Sequence, residues 1–231
     1  MIIIWTLNED NDINLLCSSI INVMAFNSVS DYSMNPDTWV SFKSGNWNAY
    51  VELYNTHFKI LNNYGHKFTN NTELIEDAVH DLFVELWSKR TKLGNPISVR
   101  NYLYKSLRNL LFRKMEKQKR FVLVGENADY PFHFEASSDT IFIENESEQI
   151  LQSKIKTVIQ SLPSRQQEII YLRFYEGLDY EEIADIMGLN KTSAYKLLYK
   201  AINKLQENVK AGDLFVFLTL LLLKKSSLVI N

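Results

Sequence analysis

Turn-forming residues are scarce in this chain, and that scarcity narrows its fold more than any other feature. Among 231 residues there are 7 Gly and 4 Pro. A fold of many short strands needs many tight turns, so this supply favours long helices over an all-β arrangement. The few punctuating residues stand where helical repeats end. Leu162-Pro163-Ser164 precedes one apolar run, Gly177 follows it, and Gly188-Leu189-Asn190 separates two more. There is no strand-like alternation and no internal repeat. The expected fold is all-α, with two small helical domains joined by an acidic linker.

The boundaries follow from composition. Residues 1–35 are expected to be a peripheral N-terminal extension. Met1-Ile2-Ile3-Ile4 has no basic start and is soon broken by Asn8-Glu9-Asp10, so it is not read as a signal peptide, and Met34 is an alternative start. Residues 36–120 have helical apolar spacing, from Trp39 and Phe42 through Leu53, Tyr54 and Phe58. A helix over 73–90 comes next, then turn signals at Lys92-Leu93-Gly94-Asn95-Pro96. A long helix follows from about Ser98, its N-cap, to Arg120. Residues 121–150 are acidic and read as a tether, with Phe and Ile residues available as short docking segments. Residues 151–210 are helical again. Two capping boxes are expected there, Ser164 with Gln167 and Asp179 with Glu182. Residues 211–231 form an apolar tail. Its run from Leu214 to Leu223 is shorter than the roughly 20 residues of a membrane span. Packing on the neighbouring helices, a protein partner and a membrane surface all remain open for it.

As a whole-chain value the formal net charge of −2 argues against nucleic acid, but it hides a segregation. Residues 1–38 and 121–150 together carry −12 and no Lys or Arg, which leaves +10 on the remainder. Residues 89–120 alone hold eleven bases against Glu116, and residues 191–210 hold five Lys against Glu207.

Three helical stretches carry chemistry. In 179–205, two helices flank a Gly turn, and small Ala184 and Gly188 stand where the helices must approach. That spacing fits a helix-turn-helix, and a helical hairpin with a solvated Lys face would share it. At 100° per residue, Ala194, Leu198, Ala201 and Leu205 share one face of the second helix. Ser193, Lys196, Tyr199, Lys200 and Asn203 share the other, a set of cations and hydroxyl or amide donors suited to phosphates and base edges. In 73–90, Glu73, Asp77, Asp81 and Glu85 recur every four residues. Such like pairs cost roughly 0.2–0.5 kcal/mol each, with no base between Lys67 and Lys89 to relieve them. A solvated acidic face and a basic protein partner both explain the pattern. In the helix from Ser98, Val99, Leu103, Leu107, Leu110 and Leu111 fall toward one side. Lys105, Arg108 and Arg113 fall toward the other, with Tyr102, Tyr104 and Asn109 nearby. Cations with aromatic rings suit single-stranded DNA, and a solubilising basic helix has the same composition.

Enzyme chemistry finds no support. The single Cys17 excludes a disulfide framework and a cysteine zinc site, and suits a reducing cytoplasm. The four His are scattered, and no Gly-rich phosphate loop or Gly-x-Ser-x-Gly is present. No catalytic residue, metal, cofactor or small-molecule substrate is expected.

The order of parts resembles an extracytoplasmic-function sigma factor of the bacterial sigma-70 superfamily, over about residues 36–210. Asp77-Ala78-Val79-His80-Asp81-Leu82-Phe83-Val84-Glu85-Leu86-Trp87 is similar to the segment that docks on the β′ clamp helices of RNA polymerase. The resemblance implies polymerase contacts at Asp77, Asp81 and Glu85. Ser98 to Leu110 resembles the segment that melts and reads the −10 promoter element. It implies DNA contacts at Arg100, Asn101, Tyr102, Lys105, Arg108 and Asn109, after a loop at Thr91 to Ile97 that captures a flipped base. Ser161 to Glu168 and Gly177 to Met187 resemble the family's helix-turn-helix domain. The helix from Lys191 would then read the −35 element with Lys191, Thr192, Ser193, Tyr195, Lys196 and Lys200. The family often has Val-Arg where this chain has Ala194-Tyr195. The implied partners are core polymerase (β′ clamp helices and β flap), promoter DNA and an anti-sigma factor. The acidic linker would run along polymerase toward the RNA exit path. A helix-turn-helix regulator acting without polymerase is the alternative.

Overall fold

The computed structural model of the chain describes residues 36–119, 130–134 and 146–208. Helices α1 (Pro36–Lys43), α2 (Trp47–Gly65), α3 (Thr72–Lys89) and α4 (Val99–Lys119) form an N-terminal unit. Helices α5 (Glu146–Gln160), α6 (Ser164–Ile170), α7 (Tyr180–Met187) and α8 (Lys191–Asn208) form a C-terminal unit. A 3-10 turn, Arg90–Lys92, follows α3, and a π-helical turn, Tyr171–Tyr175, follows α6. No strand occurs among the described residues. The N-terminal extension, the apolar tail and the acids at 126, 129, 135, 139 and 144 lie outside them.

Local chemistry sets the helix starts. The Asn46 side chain accepts from the Asn48 and Ala49 N–H groups at 2.9 and 3.2 Å, opening α2. Asn71 does the same for α3, accepting from Leu74 N–H at 3.0 Å. Ser98 caps α4 as its sequence suggests, accepting from Asn101 N–H at 3.3 Å. The box at Asp179 and Glu182 forms in full. The box expected at Ser164 and Gln167 does not. Pro163 is the N-cap residue there and makes no side-chain cap bond. Gln167 turns inward instead, and its amide donates to the Gln160 and Leu162 carbonyls at 3.1 and 2.8 Å. Those carbonyls need donors once water is excluded, which outweighs an exposed cap.

The α3 stripe, Leu74, Ile75, Ala78, Val79, Leu82, Phe83 and Leu86, is buried throughout. Gly65 permits the end of α2 to meet it, because a β-carbon there would lie 2.6 Å from Ile75 Cγ2. Helix α4 packs on α2 and α3 along one side and on α7 along another. Leu103, Leu107 and Leu111 are fully buried. Each such side chain contributes about 1.5–3 kcal/mol.

The two units share one core. Residues 130–134 form a strap between them, burying Tyr130, Phe132 and Phe134. Phe132 meets Phe68 at 5.1 Å and Tyr171 at 6.0 Å between ring centroids. Tyr64 stacks on Tyr171 at 6.1 Å. The stretch read as a tether therefore holds a docking segment, and its last five residues, 146–150, belong to α5.

Candidate nucleic-acid interface

Helices α7 and α8 meet through a tight turn. Gly188 closes α7 with φ 65°, a left-handed conformation that costs glycine little. Asn190 opens α8, accepting from Ser193 N–H at 2.7 Å. Ala194, Leu198, Ala201 and Leu205 are buried, as the helical register predicts. Thr192, Tyr195, Lys196, Tyr199 and Lys200 are exposed, and Ser193 is half-buried. Tyr195 lies between Tyr180 at 5.5 Å and Tyr199 at 6.5 Å, so tyrosine rings line this face. Lys191 is exposed but donates to Glu181 at 2.5 Å, a bond that raises its pKa.

Helix α4 departs from expectation. Arg108 and Tyr104, expected on or near the open basic face, are buried, as are Arg100 and Asn101. The reason is a second partner: α4 packs against α7 as well as against its own unit. The Arg108 guanidinium donates to both oxygens of Glu168, at 2.8 and 3.2 Å. Tyr64 Oη donates to the same carboxylate at 2.6 Å, and Tyr130 Oη donates to it too. Burial opposes the Arg108 charge, but Glu168, Tyr130 and Tyr64 more than offset it and hold the guanidinium protonated. Burial first, then the Glu168 charge, pushes the Tyr64 and Tyr130 hydroxyls well above their usual range.

Tyr102 and Asn109 keep an outer position. With Leu86, Leu93, Ser106 and Arg113 they line a cleft of about 210 Å³ between α3, α4 and the loop before α4. Helix α1 holds that loop. Trp39 Nε1 donates to Gly94 O at 3.1 Å, and Lys43 Nζ donates to Asn95 Oδ1 at 2.9 Å. Ile97 stands fully exposed at the loop end.

On α3, Asp77 and Asp81 are exposed and Glu85 is half-buried. The acidic stripe is less bare than its sequence suggests. Lys114 of α4 pairs with Asp81 at 2.6 Å, and Lys89 pairs with Glu85. Lys114 lies 33 residues along the chain from Asp81, so local spacing could not reveal it. Val84, half exposed, stands among these carboxylates.

Two family patterns match this chain, "Sigma-70 region 2" over residues 53–121 and "Sigma-70, region 4" over residues 152–205. The chain belongs to the sigma-70 family. RNA polymerase sigma factor SigV of Bacillus subtilis (strain 168) is 25% identical over 147 residues, 64% of this chain and 82% of that one. Sigma factor YlaC of the same organism is 23% identical over 165 residues, 68% of this chain and 90% of that one. Among solved structures, CnrH in complex with the cytosolic domain of CnrY has TM-score 0.50 at 17% identity, covering 74% of this chain and 94% of that one. The sigma factor RpoE of Bartonella quintana, crystallised with the anti-sigma factor NepR, has TM-score 0.50 at 20% identity, covering 70% and 97%. These two likenesses concern the fold.

The chain is thus an RNA polymerase sigma factor, a transcription initiation factor. Several of its most heavily bonded groups were not among the expected site residues. Glu168, Glu176, Glu182 and Asp185 all face α4. Glu168 sits beside the apolar run Ile169 to Leu172 and is fully buried. A carboxylate at such a position asks for a cation, and that was the available clue. Among the described residues no helix is long and apolar enough to cross a membrane, and no group of side chains could hold a metal ion.

Proposed function

We propose that this sigma factor reads duplex −35 DNA with α8, engages the −10 strand with α4 and its preceding loop, and docks on core polymerase through α3. The observation that carries the reading is the two-sidedness of α8. One face is buried to the last methyl, while Thr192, Tyr195, Lys196 and Lys200 stand open on the other. Lysines there neutralise phosphates, and hydroxyl groups reach base edges.

The cleft between Tyr102 and Asn109 supports capture of an extruded −10 base. Extrusion costs a few kcal/mol, and a pocket with a ring, an amide and a cation offsets it. Asp77, Asp81, Val84 and Glu85 present carboxylates around an apolar side chain. That suits a basic helical partner such as the β′ clamp helices. The acidic linker and the β flap are further polymerase contacts in this reading, and an anti-sigma factor is the partner that restrains the free protein. The chain works in the cytoplasm and carries no catalytic step of its own.

Run-off transcription with purified core polymerase tests the reading. Promoter-specific transcripts should require both core enzyme and this chain, and should fall with Lys196→Ala plus Lys200→Ala. Specific duplex binding as a dimer, without any effect on core polymerase, would replace it with the stand-alone regulator.

A further inference from the structure

Helix α1 holds one wall of the cleft between α3 and α4 and touches the other. Leu93, on the loop, and Tyr102, on α4, both line that cleft. The Trp39 indole N–H donates at 3.1 Å to the carbonyl of Gly94, the residue after Leu93. The same ring stands edge-on to Tyr102, with centroids 6.1 Å apart. One helical turn on, Lys43 Nζ donates to Asn95 Oδ1 at 2.9 Å.

The loop has little rigidity of its own. Gly94 has no side chain, and a β-carbon there would meet nothing within 4 Å. Pro96 biases Asn95 toward extended backbone, so Gly94 is the loosest joint between the 3-10 turn and α4. The Trp39 bond falls at this joint, where the backbone has the most freedom to lose. Helix α1, by contrast, is seated in the core. Trp39 is 4% exposed and Phe42 is fully buried. Phe42 packs on Tyr50 and Trp87, with centroids 6.2 Å apart in each case. Thr38 Oγ1 donates to Glu52 at 3.2 Å. A single buried ring thus braces both walls of the cleft.

We infer that Trp39 and Lys43 are positioning residues for the base-capturing loop, and that the Trp39 bond to Gly94 sets how strictly the cleft distinguishes one extruded base from another. The inference deepens the assignment of the cleft to a −10 base and rests on it. Discrimination needs walls at a fixed spacing, because a wall free to shift re-forms around the wrong base. A loop held in its capturing form also avoids the affinity lost when only a fraction of the molecules is competent. Lys43 supplies the second tie, one residue beyond Gly94.

The test uses the full chain with core polymerase. The probe is the labelled non-template −10 strand of a promoter found by genomic run-off, with each position changed in turn to the other three bases. At the position where the parent discriminates most, the readout is the ratio of best to worst affinity. Trp39→Phe keeps an aromatic ring, removes the N–H donor and should cut that ratio at least fivefold. Lys43→Met, at a side chain only half-buried, should cut it at least twofold and keeps the test open if Trp39→Phe folds poorly. Lys43→Arg, which retains a donor, should keep the parent ratio. Binding to −35 duplex should stay within twofold throughout. An unchanged ratio in either loss variant, including a uniform loss on all four bases, removes that residue from the positioning role. Tyr102→Ala and Asn109→Ala separate the two readings. If they leave the ratio unchanged at every position, the cleft assignment fails and the inference with it. If they flatten the ratio while Trp39→Phe and Lys43→Met do not, the positioning role alone fails.

Discussion

Replacing Glu168 by Gln keeps the side chain's shape and removes its charge, at the point where the two units are most tightly joined. Glu168 is fully buried and accepts from Arg108 at 2.8 and 3.2 Å, from Tyr64 at 2.6 Å and from Tyr130. Without the carboxylate, the Arg108 guanidinium is left as an uncompensated charge at 7% exposure. Breaking a buried pair from one side costs about 3–5 kcal/mol. At 2–4 °C per kcal/mol for a protein of this size, the thermal midpoint should fall by roughly 6–20 °C. Tyr130→Phe removes one donor and leaves the other three bonds, so its cost should stay at about 1.5–3 kcal/mol, one hydrogen bond to a charged group. Scanning calorimetry of the full chain reads both. The reasoning is refuted if Glu168→Gln melts within about 2 °C of the parent, or no lower than Tyr130→Phe. A cycle with Arg108→Met adds a check. The double variant should cost well below the sum of the singles, because neither charge is then left alone.

Three other outcomes follow from the same contacts. Lys196→Ala plus Lys200→Ala should weaken −35 duplex binding and flatten the slope of log K against log salt by about 1.8, or 0.9 per phosphate contact. An unchanged slope in a fluorescence titration removes these lysines from the backbone. Asp81→Lys should weaken core polymerase binding, while loss of the half-exposed Lys114 pair costs less than about 1 kcal/mol in a urea melt. Normal affinity would move the docking face elsewhere. His57 is buried, and burial lowers its pKa, with its ring bond to Leu53 O at 2.9 Å opposing. The unfolded chain then binds a proton before the folded one does. Stability is whole above about pH 6.5 and falls as pH drops toward the folded value, by at most ~1.4 kcal/mol per pH unit. His57→Gln should flatten that part of the profile, and equal slopes between pH 7 and 5 would refute it.

What the sequence displayed depended on the range of the forces involved. The α8 register was legible because period and burial are local: Ala194, Leu198, Ala201 and Leu205 are one stripe on one helix. The α3 stripe and the Asp179–Glu182 box were legible for the same reason. Arg108 was misread because its environment is set by a residue 60 positions away. A helical projection assigns a charge to the open side unless a partner is known, and Glu168 has no periodicity that points to α4. Ser164 failed as a cap through a similar blindness. The Gln160 and Leu162 carbonyls claimed the Gln167 side chain first. The acidic stripe of α3 was legible as a face, but its relief by Lys114 was not.

The separation of Tyr64 from Glu168 along the chain, 104 residues, also has a meaning in time. Synthesis proceeds at about 5–20 residues per second, so the acceptor is made some 5–20 s after the donor. Arg108 precedes Glu168 by 60 residues, so for roughly 3–12 s of that interval Arg100, Lys105 and Arg108 exist before the carboxylates that cover them. A newly made molecule therefore exposes these cations before it is finished. The order of the two units along the chain sets how long that exposure lasts.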